Sequence, residues 1–168
     1  RAFEVAQAIG FRQIAGLVAG NMGEAYRDEG DYARATCCFA FALRTAVELL
    51  DWTSVADQVA NVGATAAASG QLPEAERLFS QAVTLARHLD APYLLCGWLH
   101  RLAKVHADQG RPEHAERLNR EALAIAEEHG ERGVQIRATV LARRLEVALG
   151  QLRADAAVEA LRALVDSW

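Results

Sequence analysis

Apolar residues recur along the chain at the spacing of amphipathic helices. In one stretch, positions i, i+3, i+4, i+7 and i+8 are Ala75, Leu78, Phe79, Ala82 and Val83. This spacing places all five residues on one face of a helix, whereas a half-buried strand would alternate apolar and polar residues. Only three prolines interrupt the chain. The pattern predicts an all-helical protein.

The helical pattern repeats with a fixed period of 40 residues. Gly30, Gly70 and Gly110 each end one helix of a unit, where glycine adopts the left-handed conformation of a helix C-terminus. Pro73 and Pro112 follow in the first turn of the next helix, where a missing N–H costs nothing. A fixed period of this length indicates stacked pairs of helices. We expect turns near residues 30, 51, 70, 90, 110 and 131.

The 40-residue register divides the chain into helix pairs. In the first pair, one helix is predicted from about Gln13 to Glu29 and the other from Tyr32 to Leu50. Because Arg1 falls in mid-helix in this register, we expect the chain to be part of a longer protein. The predicted parts of this single domain are the end of a preceding repeat (1–10), full repeats (13–50, 53–90 and 93–130), and a degenerate or capping repeat (133–168).

Each pair carries the same order of small, aromatic and turn residues. In the first pair these are Met22, Gly23, Tyr26, Gly30, Tyr32, Ala35, Phe39 and Ala42. This order resembles the tetratricopeptide repeat family, with His106 and Asn119 in place of Tyr and Phe in the third pair. The period exceeds the family's usual length of about 34 residues and is similar to the extended repeats of kinesin light chains and bacterial multidomain regulators. The resemblance implies an all-α fold, a right-handed α-solenoid of antiparallel helix hairpins.

Composition and charge narrow the classes of function. The formal net charge is −4, which has the wrong sign for a general nucleic-acid binder. No apolar run approaches the length of a membrane span. The three cysteines, Cys37, Cys38 and Cys96, form no CxxC pair, so the sequence predicts neither a zinc site nor a disulfide framework. We expect a reducing, cytoplasmic location.

The sequence offers no arrangement of residues typical of an enzyme. Gly23 lies inside an apolar-periodic stretch, so Gly23 and Gly30 do not form a phosphate-binding loop. No nucleophile or cofactor motif occurs. The histidines fall on different faces without metal-ligand spacing, and His106 is predicted to lie in or beside the core; the five are His88, His100, His106, His114 and His129. We expect no catalytic residue, no metal and no cofactor.

The resemblance implies a concave groove lined by the first helix of each pair. Family members with such grooves use asparagines to hold peptide backbone amides, since an amide side chain offers both a donor and an acceptor. The alternative interpretation is a solvated polar face. The predicted groove residues are Asn21, Glu24, Arg27, Asp28, Asn61, Ala64, Ala68, His100, Arg101, Lys104, Asp108, Arg137 and Arg144.

The predicted function is a non-catalytic scaffold that binds a protein or peptide within a bacterial multidomain regulator. Basic residues near His100 and Arg101 favour a partner with an acidic segment or a C-terminal carboxylate. One alternative is a regulatory domain that senses a small ligand or a signal peptide. Another is self-association through the end helices. No nucleic acid or membrane is expected as a partner.

Overall fold

The computed structural model describes the backbone of residues 2–128 and the side chains of residues 10–128. All regular structure in this range is helical, without a strand, as the apolar spacing predicts. The helices are α1 (Ala2–Asp28), α2 (Tyr32–Glu48), α3 (Trp52–Ala68), α4 (Leu72–His88), α5 (Pro92–Asp108) and α6 (Pro112–Glu128). The chain divides into two compact units, residues 1–85 and 86–168, and each is described by itself.

Glycine forms the turn within each helix pair at the predicted positions. Gly30, Gly70 and Gly110 have φ of 81°, 80° and 75°, in the left-handed region that glycine adopts without steric cost. After α1, the N–H of Asp31 donates to the carbonyl of Tyr26 over 2.8 Å, which satisfies an orphan carbonyl at the helix end. The predicted turns near residues 30, 70 and 110 are confirmed.

The turns between helix pairs are formed by residues other than glycine. Leu50 and Asp90 take the left-handed conformation without being glycine, with φ of 55° and 49°. Asp51 then caps α3, since its side chain accepts a hydrogen bond of 3.0 Å from the backbone N–H of Ser54. Pro92 begins α5 at a position where its missing N–H is harmless. The turns predicted near residues 51 and 90 are therefore also confirmed.

The start of α1 differs from the prediction. We expected a helix from about Gln13, but α1 runs unbroken from Ala2 through Gly10. At the equivalent positions after the next two turns, Asp51 caps α3 and Pro92 begins α5. Phe11, which follows Gly10, provides neither a capping side chain nor a proline to start a new helix. The helix therefore continues.

Two of the predicted boundaries have no structural test. The assignment of residues 1–10 to a preceding repeat stays a prediction. The degenerate or capping repeat at 133–168, and the turn near residue 131, lie outside the described residues.

The core of the first unit depends on small residues that let helices approach closely. Phe39 of α2 is fully buried, and a Cβ placed on Gly23 of α1 would lie 2.6 Å from its ring. The same arrangement recurs one period later, where a Cβ on Gly63 would lie 3.1 Å from the Cβ of Leu78 and 3.5 Å from the ring of Phe79. Glycine thus makes room for the aromatic side chain of the partner helix.

The second unit replaces this aromatic contact with a buried polar pair. Asn119 of α6 stands where the first two repeats have Phe, and it is buried. Nδ1 of His100 lies 3.2 Å from Oδ1 of Asn119 and donates to it. Ala103 replaces the glycine, which the shorter Asn119 side chain permits. His106 is also buried, which confirms its predicted place in the core.

Candidate partner-binding faces

The exposed polar face of α1 holds three of the predicted groove residues together. Asn21, Glu24 and Asp28 are all exposed, and their spacing of three and four residues puts them on one side of the helix. They extend over about 10 Å of α1, at 1.5 Å per residue. The amide offers a donor and an acceptor, and the two carboxylates offer acceptors only. This face can hold a peptide backbone and a basic side chain.

The groove residues of α3 are less accessible than those of α1. Asn61 is only 8 % exposed, so the prediction that it lies on an open face is wrong. The physical reason is that α3 packs on α2 and also touches α1. These contacts cover the face of α3 that corresponds to the open face of α1. Ala64 is half-buried and Ala68 is exposed, so the end of α3 is accessible.

Arg27 lies inside the first hairpin rather than on its open face. Its side chain is only 16 % exposed, and its guanidinium carbon lies 5.9 Å from the centre of the Phe39 ring. Its Nε is 3.7 Å from Oδ1 of Asp28, while its Nη1 is buried without a hydrogen-bond partner among the described residues. Arg27 follows Gly23 by four residues and shares its orientation toward α2. Arg27 is therefore half-buried against α2, and its place in the groove stays a prediction.

His100 is likewise buried, between α5 and α6. His100 forms its hydrogen bond to Asn119 in the interior of the hairpin, so the prediction that His100 lines the groove is wrong. The cause is the replacement of the aromatic residue by Asn119, which draws a polar partner inward because a buried amide needs a hydrogen bond. Sequence reasoning placed the two residues separately and missed their pairing.

The remaining groove candidates of the second unit are exposed but partly neutralised. Lys104 and Asp108 form an ion pair of 2.7 Å one turn apart on α5. Arg101 is exposed on the same helix. Arg137 and Arg144, the other basic residues predicted here, lie outside the described residues.

The buried thiol of the second unit is held in its neutral form. Burial raises the pKa of the Cys96 thiol to about 11, and the nearby Glu121 carboxylate adds to the shift. The neutral thiol donates to the carbonyl of Ala122 over 3.4 Å. In residues 10–128, no three His, Cys, Asp or Glu side chains come together as a metal site would require. No helix between residues 2 and 128 is long and apolar enough to cross a membrane.

An apolar stripe on α1 is a surface feature that sequence reasoning missed. It consists of Phe11, Ile14, Val18 and Met22, which we call the α1 stripe. These side chains are 75 %, 62 %, 50 % and 46 % exposed. Their spacing of three and four residues was a visible signal, but the sequence could not show that nothing within residues 10–128 covers this face.

Comparison with known proteins identifies the repeats. Residues 53–128 match the family model described as tetratricopeptide repeat. This part of the chain is therefore similar to tetratricopeptide repeats. Among curated protein sequences, none is significantly similar to the chain.

Solved structures with the same fold extend the match over almost the whole chain. A Rap protein complexed with Competence and Sporulation Factor has a TM-score of 0.75 at 17 % identity, and it covers 95 % of this chain. This chain spans only 43 % of that Rap protein. BtubC (BKLC) from P. vanneervenii has a TM-score of 0.73 at 16 % identity, covering 96 % of this chain and 72 % of its own.

A third similar structure also contains TPR-like repeats. It is a protein from Podosopora anserina described as a kinesin light chain with nearly identical TPR-like repeats. Its TM-score is 0.60 at 15 % identity, and the match covers 89 % of this chain and 83 % of that protein. At such identities the likeness shows the fold alone. The tetratricopeptide fold is a scaffold for protein interactions, and the predicted α-solenoid class is confirmed.

Proposed function

We propose that this tetratricopeptide domain is a non-catalytic module that binds a protein or peptide within a bacterial multidomain regulatory protein in the cytoplasm. The observation that carries the proposal is the exposed polar face of Asn21, Glu24 and Asp28 on α1. No hydrogen bond of the Asn21 or Glu24 side chain is found within the described residues, while Asp28 contacts only Arg27, at 3.7 Å. These groups are available to a ligand.

The length of this face suits a short extended segment. Asn21 and Asp28 are about 10 Å apart along the helix axis. An extended peptide covers that distance in about three residues, at roughly 3.3 Å each. The Asn21 amide can pair with a peptide group of any sequence, while Glu24 and Asp28 favour a Lys or Arg side chain. The first unit therefore selects a segment with a basic residue near its anchored backbone.

The second unit favours the opposite charge. Arg101 is exposed on α5 and has a guanidinium that can bind a carboxylate through two parallel hydrogen bonds. Lys104 follows on the same helix and forms an ion pair of 2.7 Å with Asp108. We propose that an acidic residue or a C-terminal carboxylate of the partner contacts Arg101. The net charge of −4 argues against nucleic acid as that partner.

Selection of peptides from a random phage-displayed library tests the proposal. Peptides captured by the 168-residue chain should bind the Asn21→Ala variant more weakly by roughly 2- to 13-fold, the value of one hydrogen bond of about 0.5–1.5 kcal/mol. Asp28→Asn should weaken binding mainly at low salt, because at high salt the attraction between Asp28 and a basic peptide residue is already screened.

The matched control lies on a different face of the first unit. Gln81 is exposed on α4, and Gln81→Ala should leave peptide affinity unchanged. Undiminished affinity in Asn21→Ala, combined with a loss in Gln81→Ala, would place the site on the outer helices and contradict the proposal.

A second candidate function is sensing of a signal peptide or small ligand. It is supported by the similarity to the Rap structure, which contains Competence and Sporulation Factor. A sensing domain must change conformation on binding, because a ligand shifts an equilibrium only through different affinities for two states. Small-angle scattering of the chain with and without a selected peptide separates the roles. An unchanged scattering profile supports the scaffold and opposes the sensor.

A further inference from the structure

Two buried polar atoms of the first unit have no hydrogen-bond partner among the described residues. They are Nη1 of Arg27 on α1 and Oε1 of Gln58 on α3. Most buried polar side-chain atoms in proteins are hydrogen-bonded, and a buried donor or acceptor that is not bonded costs free energy. These two atoms therefore mark places where a bound molecule would gain hydrogen bonds.

Both side chains lie along the same side of α1. A Cβ on Gly20 would lie 3.6 Å from Oε1 and Nε2 of Gln58, so Gly20 marks the side of α1 that meets α3. Arg27 follows Gly20 by seven residues, nearly two full turns, and projects within about 20° of the same direction. Gly23, which meets Phe39 of α2, is about 60° from Gly20 on the side of Arg27. Arg27 therefore projects into the seam between α1 and α3, where both border α2. We call this seam, lined by Gly20, Arg27 and Gln58, the α1–α3 crevice.

The repeat fold itself requires neither polar side chain. The positions equivalent to Arg27 in the next two repeats hold Ala67 and Ala107. The position equivalent to Gln58 in the first repeat holds Val18. Small or apolar residues thus satisfy the same helix packing elsewhere in the chain. Residues that break a local rule without stabilising the fold are typical of functional sites.

The two atoms need opposite hydrogen-bond partners. Nη1 of Arg27 requires an acceptor, and Oε1 of Gln58 requires a donor. A simple anion would satisfy the arginine and leave the glutamine oxygen without a partner. A peptide backbone offers one N–H and one C=O at each residue, so it satisfies both. Gly20 and Arg27 are about 10 Å apart along α1, which about three residues of an extended chain span.

We propose that an extended peptide segment binds in the α1–α3 crevice. One backbone C=O of the peptide accepts from Nη1 of Arg27, and one backbone N–H donates to Oε1 of Gln58. The crevice borders the exposed polar face of α1 through Glu24, which follows Gly20 by four residues. This inference rests on the proposed function and adds two backbone-binding residues to the same site.

Little holds the two side chains in their positions in the free chain. The guanidinium of Arg27 lies 5.9 Å from the centre of the Phe39 ring, and its Nε lies 3.7 Å from Oδ1 of Asp28. Nε2 of Gln58 lies 3.4 Å from Oδ2 of Asp57, a long hydrogen bond. Both residues are half-buried, so their side chains reach the surface. Turning them outward presents the two polar atoms to a peptide without opening the core.

Replacing each side chain with methionine, which has a similar length, tests this pairing in the 168-residue chain. Arg27→Met should weaken the binding of a library-selected peptide by roughly ten- to hundredfold, and Gln58→Met by roughly 2- to 13-fold. Neither should lower the free energy of unfolding of the unbound chain, because each removes an unsatisfied buried atom. Arg44, whose guanidinium lies 5.6 Å from the Phe41 ring on α2, and Gln81 on α4 are the matched controls. Arg44→Met and Gln81→Met should leave affinity unchanged.

Modified peptides separate direct contact from an effect on the fold. In a series with one backbone N–H at a time replaced by N–CH3, one position should weaken binding to wild type more than to Gln58→Met. Equal losses in both proteins at every position would overturn the role of Gln58. A peptide without acidic residues and with an amidated C-terminus leaves only neutral oxygens for Arg27. Arg27→Met should still weaken its binding, and an unchanged affinity would overturn the bond from Arg27 to a backbone C=O.

The same measurements distinguish this inference from the proposed function. If Asn21→Ala weakens binding while both methionine variants bind like wild type, the inference is overturned and the proposed function stands. If the library yields no peptide that binds the chain, both are overturned.

Discussion

Replacing Gly23 with alanine tests how closely α1 and α2 approach in the first repeat. The added Cβ would lie 2.6 Å from Cε1 and 2.8 Å from Cδ1 and Cζ of Phe39. The ring cannot move freely because Phe39 is fully buried. Such overpacking costs about 1–3 kcal/mol, while alanine regains up to about 1 kcal/mol of helix propensity. We expect Gly23→Ala to lower the free energy of unfolding by about 1–2 kcal/mol.

Urea denaturation followed by circular dichroism measures this loss, with two informative companions. Gly97 is exposed in α5, and a Cβ added there would have no neighbouring atom within 4 Å, so Gly97→Ala should raise stability by about 0.5–1 kcal/mol. Phe39→Leu should make room, so the double variant with Gly23→Ala should be more stable than the sum of the single effects predicts. If Gly23→Ala stabilises the chain as much as Gly97→Ala, the close approach does not constrain the first repeat and the reasoning is refuted.

Three further predictions concern turns, the buried polar pair and a helix cap. Leu50→Gly should raise the free energy of unfolding in urea by up to about 1 kcal/mol, because it removes the steric strain of a left-handed leucine. The Leu50 side chain is 70 % exposed, so little packing is lost. Asp90→Gly should gain less, because aspartate tolerates the left-handed conformation. Asn119→Ala should cost about 1–3 kcal/mol, because it removes the buried oxygen that accepts from Nδ1 of His100, and unchanged thermal unfolding would contradict this. The hydrogen bonds from Ser54 lower the pKa of Asp51 below 3.8. The cap therefore contributes its full stability above pH 3.8 and loses it as the pH falls through the lowered pKa. The difference in free energy of unfolding between wild type and Asp51→Ala, measured from about pH 6 to about pH 2, should shrink toward acid.

The positions of the turns were predictable because each depends on a few local residues. Gly30, Gly70 and Gly110 supply the left-handed conformation that ends a helix, whatever lies around them. The start of α1 was not predictable from the repeat register, since Gly10 has no cap or proline after it and a glycine alone does not stop a helix. Local signals determined the helix boundaries, and the register alone did not.

The candidate site was harder to predict because exposure depends on neighbouring helices. Asn21 and Asn61 are equivalent in sequence, yet one is exposed and the other buried, because α3 is covered where α1 is open. Arg27 and His100 turn inward through contacts with Phe39 and Asn119 that lie 12 and 19 residues away. Periodicity assigns a residue to a face of its helix, while packing decides whether that face is open.

The location of a bound peptide shows whether the polar face of α1 is the binding site. An amide correlation spectrum of the 15N-labelled chain, titrated with a peptide selected from the library, reports which backbone groups the peptide approaches. We predict that the largest shift changes fall on Asn21, Glu24 and Asp28, with a smaller change at Ala68 at the end of α3. Changes concentrated around Gln81 on the outside of α4, with the α1 signals unmoved, would show that the peptide does not bind at α1.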